Sequence, residues 1–80
     1  MEMKIDIPYE HIRTIREERG LNQEQLARVL NIAQNTYSQY ETGKIEWTAS
    51  ALIALADFYK VSIDYLLDRT NIQTPYPRKG

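Results

Sequence analysis

The sequence contains no cysteine, so it offers neither a disulfide framework nor a thiolate metal site. It contains one histidine, His11, and a single imidazole cannot hold a zinc ion by itself. We expect His11 to lie on a solvated helix face rather than to bind a metal. This composition does not argue for secretion, and we expect no cofactor.

Long hydrophobic runs are also missing. The longest apolar stretch is ALIALA at residues 51–56, far shorter than the roughly 20 residues that cross a bilayer. The amino-terminal MEMKIDIP lacks the basic-then-apolar order of a signal peptide. We therefore expect a cytoplasmic protein with no membrane partner.

Signatures of catalysis are absent as well. There is no cysteine nucleophile, no pair of carboxylates around a histidine and no glycine-rich phosphate loop. The sequence therefore predicts that the protein is not an enzyme.

Positive charge is scarce, because the 80 residues carry a formal net charge of −1. Residues 1–68 hold seven Lys and Arg and all eleven acids, which leaves them at −4, and three cations follow in residues 69–80. A DNA-binding domain usually shows a basic footprint. The charge balance thus counts against DNA binding, unless the acids lie away from the contact face.

Helical periodicity dominates the chain, and strand patterns are nearly absent. Five short helices with short links predict a compact all-α domain over residues 1–68, followed by a short tail over 69–80 that is flexible or at a dimer interface. The predicted helices run from near Pro8 to Gly20, from an Asn22 cap with Gln25 to Asn31, from residue 34 to Gly43, from Thr48 or Ser50 to Tyr59, and from Ser62 to near Asp68.

Apolar side chains mark the face of each helix or connection that we expect to be buried. They are Ile12, Ile15, Leu21, Leu26, Ala27, Val29, Leu30, Ile32, Tyr37, Tyr40, Leu52, Ile53, Leu55, Ala56 and Tyr59.

The stretch from Gln23 to Thr42 has the residue types and spacing of a helix-turn-helix. A small residue, Ala27, allows close approach of the second helix, and Asn31 can adopt the left-handed turn conformation. Ile32 then points inward. The second helix of this unit, at about residues 34–41, packs through its two tyrosines, which leaves its amides and hydroxyls facing outward.

Neutral amides on such a helix suit base recognition. Asn and Gln can pair bidentately with adenine in the major groove, because one side chain offers both a donor and an acceptor. Gln34 and Asn35 open the helix at the end that enters the groove, and Gln39 lies one turn further on. A polar surface helix that reads nothing is the alternative for this segment.

LNQEQLARVLNIAQNTYSQYETGK at residues 21–44, followed by LIALADFYKVSIDYLL at 52–67, resembles the phage repressor and Cro-like helix-turn-helix family, also called the xenobiotic response element type. The resemblance runs from about Ile12 to Leu67. It implies a five-helix, lambda-repressor-like domain whose third helix enters the major groove of double-stranded DNA.

The resemblance also implies a role for individual positions. Gln34, Asn35 and Gln39 match the base-reading positions of the family. A second group matches positions that meet the DNA backbone or flank the bases: Asn22, Gln23, Thr36, Ser38, Thr42, Gly43 and Lys44. Arg16 and Glu41 match a structural ion pair that orients the third helix.

Three positions depart from the family pattern. Asn31 stands where the family favours glycine, and Ala33 stands where Ser or Thr usually caps the third helix. Trp47 replaces a small residue or proline in the following linker. It either fills a pocket over the fourth helix, which we favour, or is an exposed anchor for a partner.

These observations predict a sequence-specific transcriptional regulator, in the first place a repressor, that acts as a homodimer at least on DNA. We expect the dimer surface near the fifth helix and the tail, where Tyr65, Leu66, Leu67 and Ile72 exceed what one small core can hide. The alternative is an antitoxin-type module that binds a toxin and regulates its own operon. An anti-repressor is another possible protein partner.

Overall fold

The computed structural model describes residues 9–74, and within this range it is all-helical without any strand. This confirms the predicted all-α architecture. The five helices are α1 (Glu10–Glu18), α2 (Gln23–Leu30), α3 (Gln34–Thr42), α4 (Ala49–Tyr59) and α5 (Ile63–Leu66). The predicted start of the first helix at Pro8 lies outside the described residues.

Local capping chemistry sets most of the helix ends. Asn22 and Gln25 form a complete capping box at the start of α2, as predicted. Asn31 ends α2 and Gly43 ends α3, and both have the left-handed conformation. Of the two predicted caps for α4, Thr48 accepts a hydrogen bond from the backbone N–H of Ala51, whereas Ser50 lies inside the helix.

The start of α1 is capped by a residue from the other end of the domain. Asp68 accepts hydrogen bonds from the backbone N–H of Glu10 at 2.8 Å and of His11 at 2.9 Å. The His11 ring stacks on Tyr65 at 4.2 Å between ring centroids, and its Nδ1 lies 2.7 Å from the Tyr65 carbonyl oxygen. His11 is therefore a half-buried structural residue that ties α1 to α5, not a side chain on a solvated face.

A single core joins the five helices. α2 packs on α3 and α4, while α5 packs on α4 and α1. The buried core residues are Ile12, Ile15, Leu26, Ala27, Tyr37, Leu55, Ala56, Tyr59, Val61, Tyr65 and Leu66.

Two residues predicted to be buried are exposed. Val29 on α2 is 37% exposed and Ile53 on α4 is 51% exposed. Each lies about 110° around its helix from the centre of the buried stripe, as follows from roughly 100° per residue. Among residues 9–74 no helix buries that edge, so the prediction was wrong for both residues.

The region predicted as a dimer surface is partly an interior. Tyr65 and Leu66 are buried in the core of their own chain, which corrects the expectation that they are surplus apolar surface. Leu67 is half-buried, and only Ile72, at 67%, is strongly exposed.

The first part of the predicted tail folds back on α5. The backbone N–H of Ser62 donates to the Gln73 carbonyl at 2.8 Å, and the Gln73 amide donates to the Tyr65 hydroxyl at 3.3 Å. Gln73, five residues beyond the predicted end of the domain, is thus bonded to both Ser62 and Tyr65. Residues 75–80 of the predicted tail lie outside the described residues.

Candidate nucleic-acid interface

A tight turn joins α2 to α3. The backbone N–H of Asn31 donates to Arg28 O at 3.1 Å, and that of Ile32 donates to Ala27 O at 2.9 Å. Ala27 is buried where the two helices pack. Because its side chain is a single methyl group, α3 can approach α2 closely.

The inner face of α3 is formed by three buried residues on one side of the helix. Tyr37, Tyr40 and Glu41 are buried, whereas no other residue of α3 is. The tyrosines are those predicted to anchor the helix. A buried carboxylate is costly unless it is hydrogen-bonded, so the partners of Glu41 decide whether this face is stable.

Glu41 accepts hydrogen bonds from three side chains. The Arg16 guanidinium donates twice, from Nε to Oε2 at 2.7 Å and from Nη2 to Oε1 at 3.1 Å. The Tyr37 hydroxyl donates to Oε2 at 2.6 Å and the Gln23 amide to Oε1 at 3.2 Å. Arg16 also donates to the Leu21 carbonyl at 2.9 Å. This cluster joins α1, α2 and α3 through one carboxylate.

The cluster fixes the protonation states of its members. The hydrogen bond to Glu41 raises the pKa of Arg16, so the guanidinium remains charged. Burial, followed by the hydrogen bond to Glu41, raises the pKa of Tyr37 well above its ordinary value of 10.0. Tyr37 is therefore a neutral donor at any physiological pH, and Glu41 receives one charged and two neutral partners.

The outer face of α3 carries the predicted base-reading residues. Gln34 and Asn35 are exposed, and Gln39 is half-buried one turn further on. Thr36 and Ser38 are also half-buried. No side chain caps the start of α3, because Ala33 occupies the cap position in an extended conformation.

The predicted backbone-contacting residues form two groups. Asn22 and Gln23 lie at the start of α2, where the Asn22 side chain is used by the capping box and the Gln23 amide by Glu41. Thr42, Gly43 and Lys44 are exposed at the end of α3. The side chains of the first group are thus already engaged within the protein.

A family model described as helix-turn-helix matches residues 12–66. The chain belongs to this family, in its xenobiotic response element type. The helix-turn-helix family is a non-enzymatic, DNA-binding class, which agrees with the lack of catalytic signatures in the sequence.

Several helix-turn-helix proteins are similar to this chain. It is 41% identical over 63 residues to the cryptic phage CTXphi transcriptional repressor RstR of Vibrio cholerae, covering 76% of this chain and 57% of that protein. It is 35% identical over 66 residues to the uncharacterized HTH-type transcriptional regulator YobD of Bacillus subtilis, covering 82% of this chain and 59% of that protein.

A solved structure shares the fold. The crystal structure of a transcriptional regulator from Listeria innocua matches with a TM-score of 0.70 and 28% identity, covering 90% of this chain and 61% of that one. The chain therefore spans less than two thirds of the length of each of these relatives.

The linker that follows the helix-turn-helix holds a residue whose role the sequence left open. Trp47 packs, as favoured, and its aromatic partners are two tyrosines of α3. It stacks on Tyr40 with ring centroids 4.5 Å apart and meets the edge of Tyr37 at 5.8 Å. It is half-buried and packs against the core.

Sequence reasoning missed two partners of Glu41, namely Tyr37 and Gln23. Tyr37 precedes Glu41 by four residues, a spacing that places both side chains on one side of a helix, so this contact had a signal. Gln23 is 18 residues away on another helix, and its contact has no local signal.

Charges near α3 are few. Arg28 pairs with Glu24 at 3.1 Å on the exposed side of α2, and Lys44 is exposed after α3.

Within residues 9–74 there is no cluster of three His, Asp or Glu that could hold a metal ion. None of the helices in this range is long and apolar enough to cross a bilayer.

Proposed function

We propose that the chain is a sequence-specific, DNA-binding transcriptional regulator, acting as a repressor, which inserts α3 into the major groove of a palindromic operator. The family and the relatives, which include a transcriptional repressor, support this proposal. The proposal includes a cytoplasmic location for the protein.

The observation that carries the proposal is the division of α3 into an anchored face and a free amide face. Tyr37, Tyr40 and Glu41 are buried, while Gln34 and Asn35 are exposed. A Gln or Asn that pairs bidentately with adenine contributes roughly 1–3 kcal/mol of discrimination against a wrong base. Gln34, Asn35 and Gln39 are the residues we assign to this reading.

Two flanking groups are assigned to the DNA backbone. At the start of α2 the side chain of Gln23 is held by Glu41, so its phosphate contact would come from the main-chain N–H at the positive end of the helix. Asn22 lies beside it. At the end of α3, Thr42, Gly43 and Lys44 are assigned to the DNA backbone, and Thr36 and Ser38 flank the amides.

Recognition of a palindromic operator requires two copies of the chain. One domain of this size reads only a few base pairs, so useful specificity implies two half-sites about 34 Å apart on a pseudo-palindrome. Because Tyr65 and Leu66 are internal, the dimer surface is now assigned to Ile72 and to Ile63, both of which are exposed. Strict one-to-one binding to a single half-site would contradict the dimer.

The decisive experiment is selection of bound duplexes from a random DNA pool. The wild-type protein is expected to enrich an inverted repeat, and Gln34→Ala and Gln39→Ala are expected to change the enriched bases. Asn71→Ala is the matched control, because it removes an exposed amide outside the helix-turn-helix. An unaltered motif in both glutamine variants would contradict the base-reading assignment.

A protein-interaction module of the antitoxin type is the second candidate. The net charge of −4 over residues 1–68 favours it, because it weakens attraction to DNA. The selection from a random DNA pool distinguishes the DNA-binding regulator from the antitoxin-type module. A pool with no enriched sequence would favour a toxin or another protein as the partner.

A further inference from the structure

Trp47 is the only tryptophan in the sequence, and it joins the linker to the inner face of α3. Its indole lies nearly parallel to the Tyr40 ring, at an interplanar angle of 12°, and nearly perpendicular to the Tyr37 ring, at 79°. Offset stacked and edge-to-face contacts are the favourable arrangements of aromatic pairs. We call these three residues the aromatic clamp.

The backbone ties the linker that carries Trp47 to the same part of α3. The Gln39 carbonyl accepts the backbone N–H of Lys44 at 2.9 Å and of Ile45 at 3.3 Å, and also the Thr42 hydroxyl at 3.3 Å. The start of the linker is thus bonded to the last turn of α3. Trp47 lies two residues beyond the last of these bonds.

The clamp acts on two of the three buried residues that hold the inner face of α3. If α3 rotated about its axis, Tyr37 and Tyr40 would leave their places and the amides would turn away from the groove. At the start of the helix, Ala33 supplies no capping side chain. The orientation of Gln34 and Asn35 therefore depends on contacts made further along the helix.

We infer that Trp47 is a positioning residue for base recognition, which holds α3 in register through Tyr37 and Tyr40. This inference rests on the proposed DNA-binding function. Trp47 touches no base in this scheme. Its loss is expected to leave the affinity for random DNA nearly unchanged, because that affinity comes from phosphate contacts. It is expected to lower the affinity for the selected operator.

The test compares Trp47→Leu with Trp47→Phe. Leucine keeps an apolar side chain without a ring, whereas phenylalanine keeps a ring and removes the indole N–H. That N–H is buried and has no hydrogen-bond acceptor among residues 9–74. The measured quantity is the ratio of affinities for the operator and for a random duplex of equal length at one salt concentration.

Trp47→Leu is expected to reduce this ratio about tenfold, as follows from the loss of two aromatic contacts. Trp47→Phe is expected to keep it within about threefold of wild type, because one ring contact survives. Phe58→Ala is the matched control, since Phe58 is a 44% exposed aromatic residue on α4, and it is expected to leave the ratio unchanged. Circular dichroism at the binding temperature establishes that each variant is folded.

A second readout needs no DNA. Hydrogen exchange of the backbone amides at residues 37–41 is expected to quicken in Trp47→Leu, relative to the amide of Leu55 in the core. If wild type prefers no sequence, the proposed function fails and the exchange rates still test the clamp. If wild type selects an operator and folded Trp47→Leu reads it equally well, only the positioning role is overturned.

Discussion

At its carboxyl end α3 is held by a buried carboxylate with three side-chain partners and by an indole stacked on Tyr40, whereas at its amino end Ala33 supplies no cap. The amino ends of the other four helices are capped by side chains. For α1 this side chain is the distant Asp68. The uncapped end carries Gln34 and Asn35. Anchoring therefore lies at the opposite end of α3 from Gln34 and Asn35, whereas Gln39, the third residue assigned to the bases, lies within the anchored part.

The largest expected effect comes from breaking the anchored end at Glu41. Glu41→Ala would leave the Arg16 charge buried without its carboxylate, and removal of one partner from a buried ion pair costs roughly 3–5 kcal/mol. Urea denaturation would measure the loss in free energy of unfolding. Glu46→Ala, at an exposed acid, is the control and should change stability little. Equal stability of Glu41→Ala and wild type would show that the cluster does not anchor α3.

A second expectation concerns alkaline pH. Burial raises the pKa of both Tyr37 and Tyr59 above the ordinary 10.0. Since the raised pKa belongs to the folded state, their stabilising contribution is complete below pH 10 and is lost as pH rises beyond it. At pH 11 each tyrosine accounts for a loss of about 1.4 kcal/mol relative to neutral pH.

Unfolding of wild type and of Tyr37→Phe at pH 8 and pH 11 would check this expectation. The variant lacks one of the two hydroxyls, so its stability should fall by about half as much between these pH values. An identical fall in both proteins would exclude Tyr37 as a source of the pH dependence.

The unanchored end can be strengthened by a cap. Ala33 already has the extended backbone conformation of a capping residue, with φ −70° and ψ 148°, so Ala33→Ser should stabilise the protein by about 1 kcal/mol. The complementary change, Asn22→Ala, should cost about as much, because it removes the capping box of α2. Thermal unfolding of both variants would measure these shifts, and destabilisation by Ala33→Ser would show that the start of α3 is held in some other way.

The smallest expected effect is the salt dependence of operator binding. A neutral reading face with Lys44 and few other cations nearby should release roughly two to four counterions per monomer. The logarithm of the dimer's affinity should then fall against the logarithm of salt with a slope of about −4 to −7. A slope near about −10 would mean that a basic contact surface has been overlooked.

Four of the helix ends could be predicted because their causes lie within a few residues. Asn22 with Gln25, Asn31, Gly43 and Ser62 each act on the backbone of the helix they begin or end. The inward position of the α3 tyrosines follows from helical spacing in the same way. The reading roles of Gln34, Asn35 and Gln39 stay predictions that the DNA selection tests.

Other features could not be predicted, because they depend on which surfaces meet. Asp68 caps a helix that begins 58 residues earlier, and only the packing of α5 on α1 brings them together. Val29 and Ile53 lie at the edges of their stripes, where burial depends on whether a neighbour extends that far.

The sequence by itself determined the two ends of α2, the end of α3, the start of α5 and the side of α3 that carries neutral amides, because those properties arise from local backbone conformation, local hydrogen bonds and helical periodicity. Only the tertiary structure decided how α3 is held. Glu41 has partners on three helices, and Trp47 stacks on a helix that precedes its own linker. Such contacts join residues distant in the chain, so they exist only once the helices have packed.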